Sequence, residues 1–565
     1  MQKINKQKGI TLIALVVTII VLLILAGISI ATLTGENGLI TKTSSAKEKT
    51  KQAEVEERVK IEVLGSYGTD GKIDIDLLNN NLKAHITGLT YNGNKLSESN
   101  KIERLPATVV VDGYKIEIAE NGRVTVKENE FVSDGTWNDK LHVNTPKLLE
   151  GMTGVYWDDN GQEVDVTKDN QENWYNYSEQ KWANAKTKDG SYWVWIPRYE
   201  YKINSNDKTI NVKFIKTETI TVIDNDYTYI HPAFTNGTKN NFKNGEWDKE
   251  IPGFWVAKYA AGFQECTQKI TNGSIIEPTT DPNKVKYSDK KYTSYNSSCT
   301  TNALSQELTN ENQQISYPVF KPLTYAYNII STGDSYTISQ EIAKASNFYG
   351  LNQNTADSHM MKNSEWGAVA YLAQSVCGRN GEGVTINNKN LNNSEKNIYA
   401  VTGYSEKTPN GVSASTTNNK TGVFDLSGCV WERVSAYITN GDTSLTTYGK
   451  SYATLKTSTK YATIYPYNEV DDSNTNNYLE YKNAKYGYGD AVLETSTSET
   501  STSEQEQLTN AWENNYSNYP YTHGTFFVRG GDCSNIGKAG IFAFTDATGN
   551  PQQVNGFRAI LIGTK

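Results

Sequence analysis

Five cysteines carry the most latent chemistry in this 565-residue chain: Cys266, Cys299, Cys377, Cys429 and Cys533. No two form a Cys-x-x-Cys pair, and an odd number leaves at least one thiol outside any disulfide framework. Cys266 and Cys299 are close enough in sequence to bridge, but spacing alone does not pair them. The five histidines are scattered, and none stands at ligand spacing from another metal-binding residue, so no zinc site is expected. Gly531 to Lys538 approaches a phosphate-binding loop. Its glycine interval is one residue too long, however, and Ala539 stands where Ser or Thr is required. No Gly-x-Ser-x-Gly nucleophile elbow occurs. Carboxylate pairs suited to glycoside hydrolysis cannot be picked out of 63 acidic residues by spacing. The residue types therefore nominate no catalytic group, no cofactor and no metal, and calcium has no motif behind it.

With no reacting group nominated, non-covalent recognition is what remains to be considered. The stretch between Gly531 and Gly556, DCSNIGKAGIFAFTDATGNPQQVN, mixes small polar side chains with a short apolar core from Ala539 to Phe544. Connecting segments run over the surface and commonly carry binding residues. The expected contacts before the apolar core are Asp532, Ser534, Asn535 and Lys538. Those after it are Thr545, Asp546, Asn550, Gln552 and Gln553. The alternative is an ordinary surface loop beside a strand.

Four fragments surround and precede that stretch: Ser364-Glu365-Trp366, then Phe424-Asp425-Leu426-Ser427-Gly428-Cys429-Val430-Trp431-Glu432, then Val528-Arg529-Gly530-Gly531, then Asn555-Gly556-Phe557-Arg558-Ala559-Ile560-Leu561. Taken in this order the set resembles the formylglycine-generating enzyme (sulfatase-modifying factor) family, over roughly residues 250–565. The resemblance implies a C-type lectin-like fold rich in irregular structure, with the segment 532–555 on an exposed binding face. It also implies copper ligation by two cysteines, but the corresponding positions here are Asn535 and Gly540, and Cys533 is misplaced. The asparagine usual before Val-Trp-Glu is Cys429, and the tryptophan usual after it is Arg433. The family's oxidase activity is therefore not expected. Trp366 and Trp431 read as apolar anchors of the scaffold. Glu365, Glu432, Arg529 and Arg558 are charges in apolar or glycine-rich surroundings, and they are expected to pair with one another because a buried charge needs a partner.

The elements that must carry this domain begin at the N-terminus. Residues 1–9 (MQKINKQKG) form a basic leader, followed by an uncharged run over residues 10–33. As a helix that run is about 36 Å long, enough to cross a hydrocarbon core of about 30 Å. The positive leader places the N-terminus in the cytoplasm. A secretory signal would put its small-residue cleavage site after a shorter apolar stretch. Here the small residue, Gly9, precedes it. Lys8-Gly9-Ile10-Thr11-Leu12-Ile13 resembles the type IV prepilin processing motif, over roughly the first 65 residues. The resemblance implies cleavage between Gly9 and Ile10, methylation of the new terminus, and packing with other pilin subunits. Pilins usually carry glutamate at the fifth mature position; Ala14 stands there, which suits a minor or tip subunit or a non-polymerising anchor. A plain uncleaved signal anchor is the competing reading.

A stalk helix is expected within 35–68, starting near Ser45 with Glu48 as a capping box. Val55, Val59 and Val63 share one face, Glu54–Arg58 and Glu56–Lys60 form ion pairs on the others, and Gly65 and Gly68 end the helix. Residues 69–128 read as a small α+β head. It holds a short helix at 77–82, the hairpin Ala107–Val111 and Tyr114–Ile118 around Asp112-Gly113, and a further strand at 123–126. Residues 129–188 read as a connecting region and 189–565 as the large domain. That domain has strands at 192–196 and 254–259, a helix at 364–376 and a low-complexity loop at 494–507. The fold class expected is α+β: a long N-terminal pilin-like helix, a hairpin-containing head and a large lectin-like domain.

Composition fits display outside the cell. The net charge of −8 argues against nucleic acid as the partner. The 36 Tyr and 11 Trp, with many Asn, Ser and Thr, suit either an extracellular recognition surface or a tryptophan-layered β core. The sequence thus predicts a minor or tip pilin-like adhesin at a bacterial surface, single-pass or pilus-associated, binding an extracellular glycan or protein. A tethered enzyme of altered metal chemistry and a purely structural scaffold are the alternatives.

Overall fold

The computed structural model describes residues 39–564 except 93, 113, 127–132, 169, 220–228, 237–246, 268, 272–273, 277–316, 329, 388–399, 404–410, 456, 468–480, 482–487, 497–510, 535–536 and 553. The leader, the apolar run, Gly9, Ile10 and Ala14 lie outside the described residues. Among the described residues no helix is long and apolar enough to cross a membrane. The chain divides into two units, Met1–Glu130 and Phe131–Lys565, and its architecture is mixed α+β.

In the smaller unit the helix Leu39–Leu64 buries Val55, Val59 and Val63, the i, i+4 row predicted. Ser45 lies inside this helix, not at its start, so the capping box expected there does not form its N-terminus. Arg58 pairs with Asp112 at 2.8 Å, and Glu62 meets His85 at 2.8 Å. A second helix, Ile75–His85, begins where Asp74 accepts a hydrogen bond from the Leu77 N–H at 3.0 Å. Four antiparallel strands complete the unit: Leu89–Thr90, Ala107–Val111, Tyr114–Ile118 and Val124–Val126, paired in that order. The alternation that fixes their register is visible in burial. Val109, Val111, Ile116 and Ile118 point inward while Thr108 and Lys115 face solvent.

The larger unit holds two main sheets. Seven strands run in the order Ala356–Met360, Ala559–Gly563, Gly253–Ala257, Tyr192–Pro197, Asn184–Lys186, Thr153–Trp157 and Glu163–Asp165. Three of them come from the segment expected to connect two domains. Residues 131–188 belong instead to the larger unit, because Trp174 and Trp182 fill its core and hydrogen-bond through their indole N–H groups to Asn184 O (2.8 Å) and Cys377 O (2.7 Å). Aspartate, asparagine and glycine punctuate that segment and hide short strands that only the finished sheet stabilises. Trp193, Trp195, Trp255 and Trp366 are also fully buried, so much of the chain's tryptophan is core.

The second sheet runs Thr463–Tyr465, Trp431–Ile438, Phe526–Gly530 and Gly540–Ala547, with Asn555–Phe557 also paired to the Trp431–Ile438 strand. Residues 555–557 lie in this sheet and 559–563 in the other, so the chain changes sheets at Arg558. The helix Asn363–Gln374 packs against the core with all twelve residues buried and presents Trp366, whose indole N–H donates to Ile541 O at 2.7 Å.

Candidate functional site

The four buried charges flagged by the sequence are consumed inside the fold, though not all with one another. Arg558 does pair with Glu432: Nε to Oε2 is 2.8 Å and Nη2 to Oε1 is 2.5 Å. Glu365 instead meets His359 (2.9 Å) and Lys362 (3.3 Å), both also buried. Arg529 donates to the carbonyls of Ala543, Asp490 and Ala491 and to Asn363 Oδ1. Its guanidinium stacks 5.3 Å from the Trp366 ring. An arginine offers five N–H donors, and carbonyls aimed at them satisfy it as a carboxylate would. Arg529, Arg558, Glu432 and Trp366 thus all find partners inside the fold.

The double glycine after Arg529 turns the chain toward the polar segment. Gly530 and Gly531 hold φ of 86° and 77°, a region open to glycine and costly for other residues. A Cβ on Gly531 would come within 2.4 Å of the Ala539 Cβ. Asp532 closes the turn: its buried carboxylate accepts from the Ser534 N–H (2.7 Å) and Oγ (2.6 Å). Ser534 is exposed and Lys538 half-buried.

The remaining predicted contacts separate by role. Thr545 and Asp546 end the Gly540–Ala547 strand and, by alternation, point to opposite faces. Asp546 Oδ1 accepts from Asn518 Nδ2 at 2.7 Å and so braces a neighbouring loop. Asn550 caps its own turn through Thr548 Oγ1 (2.7 Å). Gln552 is exposed and accepts from Asn555 Nδ2 at 3.0 Å. Asn535 and Gln553 lie outside the described residues. The segment is therefore not one continuous contact surface: the side chains of Asp532, Asp546 and Asn550 are engaged within the fold, while of the others Ser534 and Gln552 are exposed and Lys538 and Thr545 half-buried.

A face absent from the sequence reading joins it. Cross-strand neighbours Arg433, Val528 and Thr545 form one row over three strands, and neighbours across a ladder share a face. On that face Trp431, Val528 and Ala543 make a small cluster apart from the main core, ringed by half-buried Tyr516, Ala547 and Val554. Tyr516 meets Trp431 edge-on, with ring centroids 5.9 Å apart. Burial and the Asp546 charge push the Tyr516 phenol up, and the Thr545 side chain offsets them. Trp431, expected as a core anchor, sits here in the satellite cluster. The period-two pattern Ala543, Thr545, Ala547 against Phe542 and Phe544 carried the signal for this face.

Two cysteines far apart in sequence also meet. The Cys533 N–H donates to Cys429 O at 3.0 Å, and both side chains lie in one apolar cluster with Ala260, Ala326, Ala400 and Val430. Burial pushes both thiols up, Cys533 to about 12, which opposes the thiolate form that metal binding requires. Among the described residues no group of three or more His, Cys, Asp or Glu could hold a metal ion.

The chain matches no protein-family model and no curated protein.

Proposed function

We propose that the chain is a surface-displayed, pilin-like adhesin, anchored by residues 10–33 and binding an extracellular ligand through the outer face of the Trp431-bearing sheet. The observation that carries this reading is the contact between buried Trp431 and half-buried Tyr516 beside Thr545, with exposed Gln552 on the adjoining turn. An aromatic body with polar groups at its edge binds sugar rings and peptide side chains alike, with little entropy to lose on contact. The neighbouring scaffold charges supply rigidity: Arg529 and Arg558 tie the strands beneath the face to the rest of the core. The lectin-like character of this unit and the pilin-like character of the first 65 residues remain readings of the sequence fragments that carry them.

Two measurements test the proposal. Mass spectrometry of N-terminal peptides, from sheared surface material and from membranes, should find a chain beginning at Ile10. A chain beginning at Met1 and confined to membranes would reduce the anchor to an uncleaved signal. Glycan and protein arrays probed with the full chain in detergent should then give a saturable ligand. If neither array does, adhesion is the wrong reading and a structural scaffold replaces it.

A further inference from the structure

Four arginines of the larger unit are completely buried: Arg198, Arg433, Arg529 and Arg558. Three have a carboxylate to offset the charge. Arg198 lies 2.6 Å from Glu250 and Arg558 2.5 Å from Glu432, and the Asp490 charge acts on Arg529. Arg433 differs. Nη1 donates to Thr332 Oγ1 at 2.7 Å and Nη2 to Asn550 O, and Nε, like that of Arg198, is buried with no hydrogen-bond partner. Burial pushes its guanidinium down to about 9, and among the described residues no acidic group offsets this.

The surroundings make the missing negative charge more conspicuous. Thr332 is the first residue of the ten-residue helix Thr332–Glu341, so Arg433 adds its charge to the positive end of a helix dipole. Asp334, on the first turn of that helix, is committed to Lys450 (2.6 Å) and to Ser331 (2.6 Å). Removing a cation from water is unfavourable unless a partner offsets the lost hydration. A fold that sets a carboxylate near each of its other completely buried arginines leaves this one with two neutral acceptors and a spare donor.

Arg433 also stands in the right place. It shares the row Arg433–Val528–Thr545 with the proposed binding face. Its cover is the turn Thr548–Gln552, which contributes the Asn550 carbonyl and whose Pro551 and Gln552 are exposed. An incoming anion that displaces that carbonyl would meet a planar fork of N–H donors, the geometry that suits carboxylate and sulfate.

We infer that Arg433 is an anion-recognition residue, and that the ligand of this face is an acidic saccharide carrying a carboxylate or sulfate group that replaces the Asn550 carbonyl. This rests on the adhesin reading and narrows its ligand class. The shared chemistry is a compact oxyanion on a sugar, and two probes separate the two sources.

Thermal unfolding of the full chain in detergent would be followed with galacturonate, with inorganic sulfate and with galactose, at ionic strength matched by chloride. The expected result is a rise of a few degrees with at least one of the two anions and none with galactose. R433M should lose that response without melting below the unliganded wild type, because it removes an uncompensated charge. R433K, which keeps the charge and loses the fork, should respond more weakly than wild type. The inference is overturned if neither anion shifts the wild type, or if R433M responds as the wild type does. Should R433M fail to fold and R433K fail to respond, Arg433 is a structural requirement and the site is likewise rejected. Array binding of neutral glycans with no anion response would sink this inference and leave the adhesin reading standing. An anion response lost in R433M, with no adhesion found, would do the reverse.

Discussion

Arg558 grips Glu432 with two nitrogens, Nε at 2.8 Å and Nη2 at 2.5 Å, at the point where the chain leaves one sheet for the other. The same guanidinium donates to Ala257 O (2.6 Å) in the seven-stranded sheet and to Phe424 O (2.7 Å). One side chain therefore fastens both sheets, and burial pushes Glu432 up to about 7 against the pull of Arg558. Removing Glu432 leaves Arg558 charged and unpaired in the interior, and removing Arg558 leaves Glu432 buried without its donors, each at a cost of about 3–5 kcal/mol. Glu432→Gln and Arg558→Met should each lower the melting temperature of the larger unit markedly. The double variant should lose less than the sum of the two. Strict additivity in thermal unfolding would show that the pair is not coupled.

The stalk helix offers a contrast between two neighbouring apolar positions. Val59 is completely buried against the small sheet, whereas Ile61 is 57% exposed. Val59→Ala should destabilise the smaller unit by about 2 kcal/mol through lost burial and an unfilled space. Ile61→Ala should change stability by less than about 0.5 kcal/mol. Hydrogen exchange of the amides in 107–126, measured in the full chain, reads the smaller unit separately. Equal effects of the two substitutions would mean that the helix does not pack on that sheet.

Two acids, Asp490 buried and Glu494 half-buried, give the larger unit an unusual pH dependence. Burial pushes Asp490 up to about 6 and Glu494 to about 7. Tyr481 and Tyr465 hydroxyls bond Asp490, while the Gly489 N–H and the Tyr371 and Tyr201 hydroxyls bond Glu494. A carboxyl whose folded value is raised binds its proton more tightly in the folded state, so folding is favoured at low pH. That contribution is complete below the ordinary carboxylate range and is lost as pH rises through about 6 to 7. Moving Asp490 from 3.8 to about 6 corresponds to about 3 kcal/mol. Glu494 is partly exposed and contributes less after solvent screening. The melting temperature should fall between pH 5 and pH 8, and Glu494→Gln should flatten part of that fall. A rise over the same interval in both proteins would contradict the assignment.

Local pattern made much of this fold readable. The Val55–Val59–Val63 row, the hairpin around Asp112 and the apolar helix holding Trp366 all announce themselves through period and turn chemistry, and all form. What stayed hidden depends on long-range closure. Glu494 read as the first residue of a low-complexity loop, yet two tyrosine hydroxyls from distant strands and helices hold it, and Ser496 bridges to Ala511 at the loop's base. Trp174 and Trp182 looked like features of a linker because the strands beside them are short. Pairing of charges was legible as a need, but not as a choice: Arg558 found Glu432, while Arg529 found carbonyls. Arg433 drew attention only as a departure from a motif, and its lack of a carboxylate appears only once the strands around it are assembled.

The binding face can be tested without unfolding its scaffold. Tyr516 is half-buried and Thr545 lies at a strand end, so neither is deep in the main core. Tyr516→Ala removes the aromatic wall beside Trp431, and Thr545→Arg places a long side chain across the row shared with Val528. Buried aromatic contacts at interfaces commonly cost about 2 kcal/mol or more when truncated, so Tyr516→Ala should weaken ligand binding by at least about thirtyfold. Thr545→Arg should block the approach to the Trp431–Tyr516 contact and so weaken ligand binding, while leaving the melting temperature within a few degrees of wild type. Gln552→Ala, at the rim, should cost only about 0.5 kcal/mol, because rim contacts mostly exclude water. This gradient, steep at Tyr516 and shallow at Gln552, is what an aromatic platform with a polar edge requires. Loss of binding at Gln552 with full retention at Tyr516 would move the site off the Trp431 face and into the turn that covers Arg433.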